Sequence, residues 1–377
     1  MKERALWVLI ASCLLTACVD DVEKSKCCAH PVDPEATESV RSTLTLLHRL
    51  YDDSLTLFGH QDATVYGIGW RGDSDRSDVK SVAGEHPALY GWEVGHIELG
   101  DSCSLDSVYF SDMRREIIAA DARGGINTMS WHLNNPYNGE SSWDSTPGSV
   151  TAILEDAAVK QKFFTGLDYL ADFFLSLRRE DGGLVPILFR PFHEHSGSWF
   201  WWGADFCTVE EYVGLWRLTR DHLSEKGVHN LIYVYSPDRT NDYETYIERY
   251  PGDDMVDIFG LDTYHRGAEQ GVADYLKSTV KTLTMLRLEA SKRGKIVAFT
   301  ETGSEGLPME RWFTEVLYPV VDAVNPAYVM VWRNAEERPT HHYAPYPGHP
   351  AAPDFVTFTK QENIFLQGDI MQYRNNK

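Results

Sequence analysis

With 377 residues and a formal charge of −21 at neutral pH, the chain is too long for a small binding module and too acidic to bind nucleic acid through phosphate contacts. Aromatic residues make up 12% of it and include 11 Trp, many near the ends of predicted strands, a bias that favours carbohydrate or another flat ligand. The length fits one α/β domain of roughly 250–350 residues behind a leader, with no internal repeat or low-complexity run.

The leader comes first. Met1-Lys2-Glu3-Arg4 precedes an apolar run over residues 5–17, too short to remain as a membrane-spanning helix. Leu15-Thr16-Ala17-Cys18 has the form of a bacterial lipobox, in which cleavage leaves Cys18 as a lipidated first residue; Ile10-Ala11-Ser12-Cys13 offers a second register. The expected organisation is a signal peptide over 1–17, a lipid-anchored tether over 18–38 and a catalytic domain over 39–377. Polar composition with Pro31 and Pro34 motivates the tether. Asp20 and Asp21 directly after the anchor point to the outer membrane of a Gram-negative cell, on its surface or its periplasmic face. Beyond the leader, Cys27, Cys28, Cys103 and Cys207 have no zinc-ligand spacing, and their pairing cannot be read from sequence.

From residue 39 helices and strands alternate. Val40, Leu44, Leu47 and Leu50 give residues 39–51 a helical period. Strands are predicted over 55–60, 88–94, 126–133, 185–194, 231–236, 256–264, 296–301 and 328–333. Amphipathic segments over 111–123, 157–179, 210–226, 275–293 and 309–323 lie between them. Eight strands with crossovers are the count for a closed (β/α)8 TIM barrel, a single catalytic domain. An open doubly wound sheet is the alternative, but no Gly-rich phosphate loop follows an early strand.

In such a barrel every strand's C-terminal end faces one mouth. Those ends read Gly59-His60-Gln61-Asp62, Trp92-Glu93, Trp131-His132-Leu133-Asn134, His193-Glu194, Ser236-Pro237-Asp238, Asp262-Thr263-Tyr264, Glu301-Thr302 and Trp332-Arg333. Glu194 and Glu301 stand on strands separated by three around the ring, so they can aim carboxyls at one point from two sides. Retaining glycoside hydrolysis needs that pair, one acid and one nucleophile roughly 5–5.5 Å apart. Taken singly, each glutamate is better explained as a buried carboxylate paired with an arginine; together they favour catalysis. His193 and His195 on one strand face suggest metal less well, because further ligands in the required order are missing. Arg190 is expected to pair with a neighbouring carboxylate, Asp238 and Asp262 to be structural, and His341-His342 to lie in a solvated loop.

Arg190-Pro191-Phe192-His193-Glu194, with Trp199 and Trp201-Trp202-Gly203, resembles glycoside hydrolase family 26, the β-mannanase family of the retaining barrel clan. Gly59-His60-Gln61, Ser130-Trp131-His132, Tyr235-Ser236-Pro237-Asp238, Gly260-Leu261-Asp262-Thr263-Tyr264 and Thr300-Glu301-Thr302-Gly303 extend the likeness. The resemblance implies Glu194 as acid/base and Glu301 as nucleophile. It implies His132, His193, Trp199, Tyr264, Trp332 and Arg333 around the sugar, and needs neither metal nor cofactor. The implied substrate is a β-1,4-linked mannan, glucomannan or galactomannan, cut by a monomer that meets the membrane only through its lipid. A β-glucanase or β-xylanase on the same barrel, and a non-catalytic glycan-binding lipoprotein, are the alternatives. The loop over 134–148, with Tyr137 and Trp143, governs whether the cleft cuts internally or releases mannobiose, and an open, internally cutting cleft is expected.

Overall fold

The computed structural model describes residues 29–240 and 242–376. Its centre is built from runs of Val, Ile, Leu and Phe long enough for a strand and apolar on both faces. These form β1 (Thr56–Gln61), β2 (Leu89–Glu93), β3 (Ile126–Trp131), β4 (Ile187–Pro191), β5 (Leu231–Tyr235), β6 (Ile258–Asp262), β7 (Ile296–Thr302) and β8 (Tyr328–Val331). Every residue of β1 and of β4 through β8 is buried, as parallel strands covered by helices require. Each strand pairs parallel with the next, and β8 closes on β1 through Leu57 opposite Tyr328. A short strand, Ile364–Phe365, joins the start of β1 from outside the ring.

Crossover helices surround this barrel, among them α2 (Phe110–Ala122), α3 (Ala157–Ser176), α4 (Val209–Glu225) and α5 (Val272–Ser291), each within a few residues of its predicted span. The segment predicted over 309–323 departs from a plain α-helix. It is a π-helical turn, Phe313–Leu317, followed by α6 (Tyr318–Val324), because Pro319 cannot donate a backbone hydrogen bond back into the preceding turn. A last helix, α7 (Gln367–Asn375), follows the extra strand.

Helix α1 (Glu38–Asp52) closes the N-terminal end of the barrel. Thr37 caps it by accepting a hydrogen bond from the Val40 amide, and Val40, Leu44, Leu47 and Leu50 face inward. The tether expected over 18–38 is corrected here, because residues 32–37 are packed on the barrel rather than free of it. The Val32 amide donates to Asp257 at 2.8 Å, and the Thr37 amide donates to the His229 carbonyl at 2.9 Å. Asp33 adds an ion pair to His229 at 2.9 Å. Ala36 is buried in the core and Val32 packs against it, but among prolines and polar residues two apolar side chains give no readable period.

Two departures at the mouth matter for chemistry. The fourth strand ends at Pro191, not at Glu194, so His193 and His195 do not share a strand face. In β7 the register moves from Leu261 opposite Phe299 to Asp262 opposite Glu301, and β8 shows a matching shift. One extra residue therefore bulges from β7 just before Glu301, a device that re-aims a side chain at a barrel rim.

Candidate active site

After Pro191 the chain turns sharply, with Phe192 and Glu194 both in the left-handed region at φ 51°. A left-handed non-glycine residue costs about 1–2 kcal/mol, so the surroundings must hold it. Phe192 is buried against Trp131, Trp201, Trp202 and Tyr212. The indole of Trp202 donates to the His193 carbonyl at 2.9 Å, and the Glu194 amide donates to the Ser236 carbonyl at 2.8 Å. The tryptophan cluster thus fixes the backbone that presents Glu194, and of the three tryptophans after it, Trp199, Trp201 and Trp202, only Trp199 is exposed, at 40%.

Glu194 accepts a hydrogen bond from the Trp199 indole at 2.6 Å. Its pKa is pushed well above the usual carboxylate range by burial first, then by the charges of Glu301, Asp262 and Asp238. Glu301 has different company. Tyr264 donates to one of its oxygens at 2.7 Å, and the buried Arg190 guanidinium donates to the other. Arg190 also reaches both oxygens of Asp262, at 3.1 and 3.2 Å, and Asp262 accepts from Thr300 at 2.5 Å. One guanidinium therefore faces two carboxylates, and an anion at Glu194 would add to negative charge that Arg190 alone does not balance. Burial and the Glu301 charge keep the Tyr264 phenol well above its usual pKa, so it stays a donor.

A second polar cluster stands beside this pair. Glu93, at the end of β2, accepts from the Ser130 hydroxyl, the His132 amide and His132 Nδ1, each at 2.7 Å. Burial alone would raise the Glu93 pKa, but the His132 charge and these donors outweigh it and hold it at about 2. His132 is correspondingly shifted up, since Glu93 overcomes its desolvation. The neighbouring His193, 4.5 Å away between ring centres, is driven well below its usual value by burial and then by His132. The Trp143 indole stacks on His132 at 5.3 Å and 17°. Arg333 completes the rim, paired with Asp106 at 3.0 Å and Glu337 at 3.1 Å.

A family model described as Glycosyl hydrolase family 26 matches residues 32–308. The chain belongs to that family. A mannan endo-1,4-beta-mannosidase of Bifidobacterium adolescentis is 32% identical over 366 residues, covering 91% of this chain and 36% of that protein. This chain thus spans about a third of that relative's length. Another mannan endo-1,4-beta-mannosidase, of Bacillus subtilis, is 30% identical and covers 73% of this chain and 74% of its own. Among solved structures, a GH26 beta-mannanase of Bacteroides ovatus superposes with a TM-score of 0.86 at 45% identity, covering 88% of this chain and 96% of that one.

The family-26 cleft of this chain holds every site residue singled out from sequence except Cys18, which lies outside the described residues. Glu194, Glu301, His132, His193, Trp199, Tyr264, Trp332 and Arg333 all line one open cavity of about 1090 Å³ at the C-terminal ends of the strands. Sequence reasoning gave no role to Glu93, although the Trp92-Glu93 strand end marks it. It missed Asp106, which comes from an irregular segment between β2 and α2 that has no period to read. Asp238 also lines the cleft, whereas Asp262 is buried beneath it as the second partner of Arg190. The loop expected to be solvated around His341-His342 is so over residues 337–340, and His341 lines the cleft, but His342 departs from the expectation. His342 is buried, with Nδ1 bonded to the Pro339 carbonyl and Nε2 to His349.

Proposed function

We propose that this chain is an exported, lipid-anchored endo-β-1,4-mannanase that acts with retention of anomeric configuration. One observation carries the reading: two glutamates share a cleft but have opposite surroundings. Glu194 is desolvated and has one neutral donor, so it can carry a proton to the glycosidic oxygen. Glu301 is held by a phenol and a guanidinium, which aim it as an acceptor-only group at the anomeric carbon. In the first step the Glu194 proton moves to the leaving oxygen as a Glu301 oxygen bonds to that carbon. In the second, Glu194 takes a proton from water, whose oxygen attacks the same carbon and frees Glu301. Trp199 and Trp332 supply flat apolar faces for sugar rings, and charged His132 and Arg333 supply donors to hydroxyls.

Mannan as substrate and internal cutting are both supported by the names of the family relatives, mannan endo-1,4-beta-mannosidases. Two experiments test the reading. Purified protein should hydrolyse soluble mannan with an early fall in viscosity and give a first product in the β configuration. Release of mannobiose alone from the earliest times would contradict internal cutting, and an α product would contradict retention. Cys18→Ala should move an active protein from salt-washed membranes to the soluble fraction; retention of that variant through the salt wash would remove the anchor.

A further inference from the structure

Among the described residues of this acidic chain is a groove in which cations outnumber anions, at the end of the barrel opposite the cleft. Arg41 and Arg49 of α1, Arg179 just beyond α3, and Arg374 of α7 line it, against Glu38 and Asp121. Gly125, Ile126, Leu184 and Pro186 also line it, which places it at the starts of β3 and β4. Asp121 is already neutralised, because Arg179 binds both its oxygens at 2.6 and 2.7 Å. Arg41 gives one nitrogen to the Pro34 carbonyl at 2.8 Å. The guanidiniums of Arg49 and Arg374 form no hydrogen bond or ion pair with any described residue, although Arg374 feels the Asp121 charge. With a formal charge of −21 on the whole chain, two guanidiniums without a described partner in one concavity favour an anionic ligand there.

The position of the groove says which anion. Ala29 and His30, where the described chain begins, form part of its wall. Residues 19–28 separate Cys18 from Ala29 and reach at most about 40 Å when fully extended. A lipid on Cys18 therefore brings this face, before any other, within reach of the bilayer. We infer that the groove seats the phosphate groups of an anionic membrane surface through Arg41, Arg49 and Arg374, so that the barrel stands on its N-terminal end with the cleft turned away. The choice of membrane phosphate and the orientation rest on the lipid-anchored reading; the excess of arginines in the groove does not. The rest of the acidic surface is repelled by such a membrane, which makes the arginine face the one that can approach.

Vesicle sedimentation of the Cys18→Ala chain, which has no acyl group, separates the two. It should pellet with vesicles of phosphatidylglycerol in phosphatidylcholine, stay in solution with phosphatidylcholine alone, and be released by added salt. Arg49→Ala and Arg374→Ala should each weaken vesicle binding roughly fivefold. Both variants should hydrolyse soluble mannan like the parent, which also reports that they fold. Binding that is absent, equal on the two vesicle types, or unchanged in both arginine variants would overturn the inference. Release by inorganic phosphate at constant ionic strength would reassign the groove to free phosphate and overturn the membrane as its source. A wild-type chain found without acyl groups by mass would sink the anchor while leaving the vesicle result to decide the groove.

Discussion

The ends of β4 and β7 carry the same residue type and make it do opposite things. At β4 the glutamate rides on a strained turn braced by indoles, and its surroundings offer burial with one neutral donor. At β7 the glutamate follows a bulge and receives a phenol and a buried guanidinium. The lesson is that role follows from the donors that each backbone device brings within reach. The bulge turns Glu301 toward Arg190 and Tyr264, while the left-handed turn lifts Glu194 away from Arg190.

That contrast can be broken most severely at β7. Glu301→Ala should lower turnover of every substrate by at least about 10⁴-fold, since no group remains to form the intermediate. Glu194→Ala should lower mannan hydrolysis by about 10²–10⁴-fold but keep first-step activity on an aryl mannoside with an activated phenol, which leaves without a proton. Accumulation of glycosyl-enzyme in that variant, seen as an initial burst, is the measurement; equal loss on both substrates would contradict the division of labour. Arg190→Leu should cost about 3–5 kcal/mol of stability, read in denaturant unfolding, because Glu301 and Asp262 would be left as buried unpaired carboxylates.

Smaller changes sharpen the comparison. The Trp199 indole favours the anionic form of Glu194, so Trp199→Phe should move the basic limb of the kcat/KM profile to higher pH. The same removal of a sugar platform should raise KM. Stability follows the sign of the Glu194 shift. A carboxyl whose pKa is raised by folding contributes stability below its unfolded value, and that contribution is lost as pH rises through the folded value. Glu194→Gln should therefore match the parent in acid and become the more stable of the two as pH rises toward neutrality. A difference that is constant with pH would show that Glu194 is not desolvated in the fold.

Much of this was legible in the chain because barrels write their sites in a simple code. Apolar runs marked the strands, and the residues just past each run, such as His132, Glu194 and Glu301, were carried to one mouth by topology alone. Arg190 was readable as a partner for a carboxylate, but not as the partner of two. The bulge before Glu301 was invisible, since an extra residue in an apolar strand changes register without changing composition. Asp106 was invisible for a different reason: an irregular segment has no period that says where its side chains go. The docking of residues 32–37 was hidden because backbone groups, one aspartate and only two apolar side chains, Val32 and Ala36, make the contact, too few to show a period.

The division of labour between the two glutamates is tested most directly by trapping the intermediate. A 2-deoxy-2-fluoro mannosyl donor with a good leaving group should inactivate the enzyme, and mass spectrometry of the digested protein should find the sugar on Glu301. Label on Glu194 or any other residue, or turnover without a trapped species, would contradict the account.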